Sequence, residues 1–159
     1  MPKRKIKELP IGTDKQKYEL IPNKSLGIFN IGDEINKYLH LSHKFKHEDY
    51  KYFSSNSYDF YKGNVAVWTF EDADNDINLI RTIRCDSKCY WQEKNLIGML
   101  FDEFLLLSGM SPDNESIEYV PINRDRGQNQ TVYEFDKLGL SVWVWRGKIK
   151  TVLISKSDE

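Results

Sequence analysis

His40, His43 and His47 are the only histidines of the chain and fall within eight residues. If that segment is helical, His43 and His47 share one face at i and i+4, a spacing a metal ion can use. The set is incomplete. Lys44 and Phe45 follow His43, so the glutamate of a zincin motif is missing, and Lys44 and Lys46 would repel a cation. A structural zinc site needs four ligands. Cys85 and Cys89 could supply the rest only if the fold brings them near; otherwise they are small core side chains. Three residues separate the two cysteines, not the two of a thioredoxin-type motif. One close pair is no disulfide framework, and a reducing cytosol is the expected setting.

A second candidate is the acidic stretch Glu71-Asp-Ala-Asp-Asn-Asp-Ile-Asn78. Counted from Asp72, the carboxylates at 72, 74 and 76 match the opening of a calcium loop. The sixth position is Ile77 instead of Gly and the twelfth is Ile83 instead of Glu. The sharp turn and the bidentate ligand are therefore lost. The stretch reads as a hairpin loop, or as an acidic surface toward a cationic partner. The chain has no G-x-S-x-G, no phosphate-cradling glycine loop and no G-x-G-x-x-G. A histidine-based nuclease draws its acid and base from separate elements, and these histidines share one. The expectation is no catalytic residue, no metal and no cofactor.

The elements that must position these groups follow from period and punctuation. Tyr18 to Ile21 is a short strand candidate ending at Pro22. Asn30 to Leu41 reads as a short helix, with Asp33 as cap and Ile35, Tyr38 and Leu39 at helical spacing. Aromatic-rich runs at Tyr50 to Phe53 and Ser57 to Lys62 read as strands. The second pairs across Gly63-Asn64 with Val65 to Phe70, and Ile77 to Cys85 continues the pattern. The span Tyr90 to Ser108 reads as one long helix. Leu96, Ile97, Leu100, Phe101, Phe104, Leu105 and Leu107 form its apolar face, and Gly109 and Pro112 end it. Ser116 to Ile122 is a strand candidate and Asn123 to Gln130 a polar loop. Thr131 to Phe135, Leu140 to Trp145 and Ile149 to Ser155 form a three-strand meander, turning at Asp136 to Gly139 and Arg146 to Lys148. Alternation puts Leu140, Val142 and Val144 on one face, and Ser141, Trp143 and Trp145 on the other. The tryptophans then need a cover, either a layer from the N-terminal half or a partner. The predicted class is α+β: a twisted, mostly antiparallel sheet with one long helix packed on it and a short N-terminal helix.

The chain has 159 residues, enough for one domain. Residues 1–17 are lysine-rich and read as a flexible basic arm, and 18–159 as a single domain. No run approaches the roughly 20 apolar residues of a membrane span, and the N-terminus lacks a signal-peptide apolar stretch; a cytoplasmic protein is expected. Basic and acidic side chains nearly cancel, 23 against 24, which excludes a whole-molecule basic field for nucleic acid. Their placement is uneven. Residues 71–118 hold 11 acidic and 4 basic side chains. That block suits electrostatic complementarity to a basic partner.

Tyr18-Glu-Leu-Ile-Pro-Asn-Lys-Ser-Leu-Gly-Ile-Phe-Asn-Ile-Gly32 resembles the opening of small immunity proteins of bacterial polymorphic toxin and contact-dependent growth inhibition systems. Tyr133-Glu-Phe-Asp-Lys-Leu-Gly-Leu-Ser-Val-Trp-Val-Trp-Arg-Gly-Lys148 resembles their aromatic closing meander. The resemblance implies a non-enzymatic inhibitor that binds a cognate toxin domain, expected to be a basic nuclease, as a monomer in a 1:1 complex, without direct contact to nucleic acid or membrane. No functional residue carries over by motif. From charge alone, Glu71, Asp72, Asp74, Asp76, Asp113, Glu115 and Glu118 are the expected partner-binding residues. Two rivals stay open. One is a small hydrolase using paired carboxylates. The other is a nucleic-acid-binding module, whose aromatics should share a surface with Lys and Arg.

Overall fold

A computed structural model describes residues 14–72, 74 and 76–156. Within them, strands dominate. The main body is one eight-stranded antiparallel sheet made of two four-stranded meanders. The first comprises β4 (His43–Asp49), β5 (Ser54–Phe60), β6 (Val65–Asp72) and β7 (Ile77–Cys85). The second comprises β10 (Asn114–Asn123), β11 (Arg126–Phe135), β12 (Leu140–Trp145) and β13 (Lys148–Ser155). β13 pairs with β7, giving the order β10-β11-β12-β13-β7-β6-β5-β4. The small strands β1 (Leu20–Ile21), β2 (Ser25–Leu26) and β3 (Phe29–Asn30) form a separate sheet, and β8 (Tyr90–Trp91) and β9 (Lys94–Asn95) a hairpin.

This overturns the expected α+β architecture of a sheet crossed by one long helix. Among the described residues the α-helices are α1 (Asp14–Lys17) and α2 (Phe101–Ser108), the latter eight residues long. The span before α2 is not helical for three local reasons. Tyr90 and Trp91 pair with Asn95 and Lys94 across Gln92-Glu93, which both adopt positive φ. Asn95 Oδ1 accepts the N–H groups of Cys89 and Ile97, tying the chain into a loop. Gly98, at φ 89°, takes a conformation no helix interior allows. Leu96 is still buried, so its apolarity serves the core from a loop. Leu100, expected inside, is 54% exposed, whereas Phe101 and Phe104 are buried. The expected short N-terminal helix shrinks to a 3-10 turn, Ile35–Tyr38. Tyr50 to Phe53, expected as a strand, is the β4–β5 turn. Asn123 to Gln130, expected as a loop, is mostly strand β11. Of the expected arm, Asp14–Lys17 form a helical turn tied down by Lys88–Asp14 and Lys15–Glu93 ion pairs; residues 1–13 lie outside the described residues.

One core sits on one sheet face. Val65, Val67, Ile83, Cys85, Val142, Val152 and Ile154 rise from the sheet. Leu26, Phe29 and Ile35 of the N-terminal segment cover them, together with Leu96, Phe101 and Phe104. Phe104 meets Phe135 edge-on, with centroids 5.3 Å apart, and Phe101 stacks on Tyr133 at 4.1 Å. The alternation read in β12 holds, with Leu140, Val142 and Val144 buried and Ser141, Trp143 and Trp145 half-buried. Among the described residues, Leu26, Phe29 and Ile35 of the N-terminal half, expected as a cover for the tryptophans, pack on the Val142 side instead. No helix of the described residues is long and apolar enough to cross a membrane.

Candidate partner-binding end

In a meander, alternate turns fall at the same end. The β4–β5 turn (Asp49 opposite Ser54) and the β6–β7 turn (Asp72 opposite Ile77) therefore lie side by side. β5 and β6 are adjacent strands, about 5 Å apart. β7 extends five residues beyond its last rung with β13, Thr82 opposite Ser155, so both turns overhang the rest of the sheet. Glu34 bridges Leu79 on the free edge of that overhang, and backbone bonds Gly32 N–H to Ile80 and Ile80 N–H to Asp33 reinforce it.

The overhang presents rings and carboxylates together. Tyr52 is 85% and Phe53 63% exposed, and Tyr50 and Phe70 are exposed as well. Tyr50 and Phe53 stack at 4.7 Å, closed by the Tyr50 N–H to Phe53 carbonyl bond of 2.7 Å. Around them stand the carboxyl-bearing residues Glu48, Asp49, Glu71, Asp72, Asp74 and Asp76, against Lys46 and Lys51. The Tyr50 hydroxyl donates to Glu48 at 2.9 Å; that bond, followed by Lys46, holds the Glu48 carboxyl below its ordinary value. Glu48 therefore stays charged at neutral pH.

A polar row crosses all four strands beneath this surface. His47 Nδ1 lies 2.5 Å from Asn56 Oδ1, and its Nε2 lies 2.8 Å from Asp49 Oδ1. Asn56 Nδ2 donates to Asn78 Oδ1 at 3.5 Å, and the Thr69 hydroxyl donates to the same oxygen at 3.3 Å. Both imidazole nitrogens face acceptors, so the protonated ring satisfies the row best. Asn56 first, and Asp49 second, raise the His47 pKa above 6.5. The Asp49–His47 pair has the look of a catalytic dyad. Its other nitrogen meets an amide oxygen instead of a hydroxyl or thiol, so this arrangement activates no nucleophile.

The sequence-derived candidates divide. Glu71, Asp72, Asp74 and Asp76 lie on the overhang. Asp113, Glu115 and Glu118 belong to the opposite edge of the sheet, four strand spacings or about 19 Å from β7. Asp113 is structural there: its Oδ2 accepts the Asp136 N–H at 2.7 Å. Glu115 sits opposite Tyr133 and Glu118 opposite Gln130, on different faces of β10. The seven residues are two groups, not one patch. His43 and His47 lie on a strand, about 13 Å apart, too far to share an ion. Among the described residues no group of three or more His, Cys, Asp or Glu is placed to hold a metal. Cys85 and Cys89 are both buried free thiols; burial, then the neighbouring Cys89, pushes the Cys85 thiol up. Sequence reasoning missed Tyr50, Tyr52, Phe53 and Phe70 as a surface. The available signal was the run Asp49-Tyr-Lys-Tyr-Phe53, whose charged flank marks a turn tip better than a strand.

No protein-family model, no curated protein and no solved structure matches the chain.

Proposed function

We propose that this chain is an immunity-type inhibitor: a non-catalytic cytosolic protein that binds a cognate toxin domain with a basic surface, a nuclease by preference, and neutralises it by covering its active site. What supports the reading is the overhang, where four exposed aromatic residues stand among six carboxyl-bearing ones. Tyr and Trp dominate binding hot spots, and charge around them sets encounter rate and partner choice. Burying one such ring, ~150–250 Å² at ~25 cal/mol per Å², gives about 4–6 kcal/mol. Association costs ~4–15 kcal/mol. One anchor is therefore marginal, and a cluster of anchors with complementary charge is what tight inhibition needs. The recognition group is then Glu71, Asp72, Asp74 and Asp76 with Tyr50, Tyr52, Phe53 and Phe70.

The test is co-expression with the toxin domain encoded beside this chain's gene. The expected result is a 1:1 complex on gel filtration and loss of toxin activity at equimolar inhibitor. Full toxin activity in the presence of a molar excess would overturn the reading.

A further inference from the structure

The opposite end of the sheet carries the opposite charge. β12 and β13 join through the turn Arg146-Gly147, with Trp145 paired to Lys148. A register irregularity follows, between the pairs Trp143–Thr151 and Val144–Ile149, and Lys150 falls within it. Three cations thus stand within five residues, and none has an ion-pair partner among the described residues. Two of them flank one ring: Arg146 Cζ lies 4.4 Å and Lys150 Nζ 5.8 Å from the Trp145 centroid. These side chains line a cavity of about 440 Å³ with the half-buried, apolar Ile97 on its wall, within the usual size of a small-ligand site, ~300–1,000 Å³. Asp86 is the carboxylate of the lining. Arg84 Nε already lies 3.4 Å from it.

We propose that this cavity binds a nucleotide, with its phosphate on Arg146, Lys148 and Lys150 and its base against Trp145. Unpaired guanidinium and ammonium groups select a multi-oxygen anion. The indole and the half-buried Ile97 offer an apolar surface that inorganic phosphate does not use. Asp86 supplies an acceptor for the exocyclic amine of a base. Arg146 swings from the ring to the phosphate, which bares an indole face for stacking. The same chemistry fits a free mononucleotide or one unit of a single strand. It uses none of the residues of the acidic end, so either proposal can fail alone.

The experiment is titration of the full chain at low salt with AMP, inorganic phosphate and a ten-residue deoxyadenosine oligonucleotide, read by tryptophan fluorescence and calorimetry. AMP should bind at least ~10-fold tighter than phosphate, since stacking adds to the charge contact. Lys148→Gln with Lys150→Gln should weaken AMP ~10-fold or more; both lysines are exposed, and thermal melting confirms the fold. Lys148→Glu alone is the second variant, and the same weakening is expected. Tighter, steeply salt-dependent binding of the oligonucleotide makes the ligand a single strand; equal or weaker binding makes it the free nucleotide. Phosphate binding as well as AMP, no binding of any probe, or a folded lysine variant binding like the parent would overturn the proposal.

Discussion

At the scale of single residues, His47 is held between two acceptors, one at each ring nitrogen. Its raised pKa comes first from Asn56 and then from Asp49. A folded-state pKa above the unfolded value means a contribution fully present below the unfolded pKa and lost as pH rises through the folded one. The β4–β5 overhang should therefore be best ordered below pH 6.5 and loosen as pH rises through the higher His47 midpoint. An NMR titration should place the His47 midpoint above 6.5, with Asn56→Ala lowering it most and Asp49→Asn lowering it as well. A midpoint at or below the ordinary value would show that the row does not hold a charged ring. Phe104 makes the second residue-scale case. It is fully buried among Trp91, Phe101 and Phe135, so Phe104→Ala should cost about 3–5 kcal/mol in chemical denaturation. Leu106, on the same helix and 85% exposed, should cost under ~0.5 kcal/mol when changed to Ala. Equal costs would mean that α2 presents a different face to the core.

At the scale of elements, what the sequence made legible was period two with punctuation. The β12 alternation, the Asp136 to Gly139 turn and the β7 boundaries are where the residues place them, whereas the Gly63-Asn64 turn starts two residues early, with Tyr61 and Lys62, expected in the strand, at positive φ. The β12–β13 turn follows Arg146-Gly147 in the same way. The long helix failed because a dense apolar run carries no period by itself. Leu96 serves the core from a loop and Phe104 from a helix, and both read alike as apolar letters. The histidine segment failed for another reason. β4 is an edge strand with little buried surface, so its alternation is invisible in hydropathy, and its charges are what keep such an edge from pairing with another chain. The turn at Gly139 tests the element logic. Its φ is 64°, and an added Cβ would stand 2.1 Å from the Ser155 carbonyl oxygen, while the Ser155 N–H donates to Gly139. Gly139→Ala should destabilise by more than ~1 kcal/mol, as positive-φ strain adds to a backbone clash. A denaturation midpoint equal to the parent's would refute this account of the β12–β13 closure.

At the scale of the molecule, sheet order decides which charges act together, and sequence order does not reveal it. The acidic block 71–118 reads as one surface along the chain. The β13–β7 pairing places Asp113, Glu115 and Glu118 four strand spacings from β7, which carries one arm of the acidic turn. The same pairing puts Arg146, Lys148 and Lys150 at the end opposite that turn. A near-neutral protein is thereby polarised, acidic and aromatic at one end and basic around Trp145 at the other. Such a field orients encounter more than it adds affinity. The central claim is that the acidic end meets a basic toxin domain. The direct measurement is the association rate with the neighbouring-gene toxin domain at low and high salt, for the parent and for Asp72→Asn, Asp74→Asn and Asp76→Asn combined. The account predicts that the triple variant associates ~10-fold or more slowly at low salt, within the range steering confers, with a flattened salt slope and little change in dissociation. An association rate and salt slope equal to the parent's would contradict it.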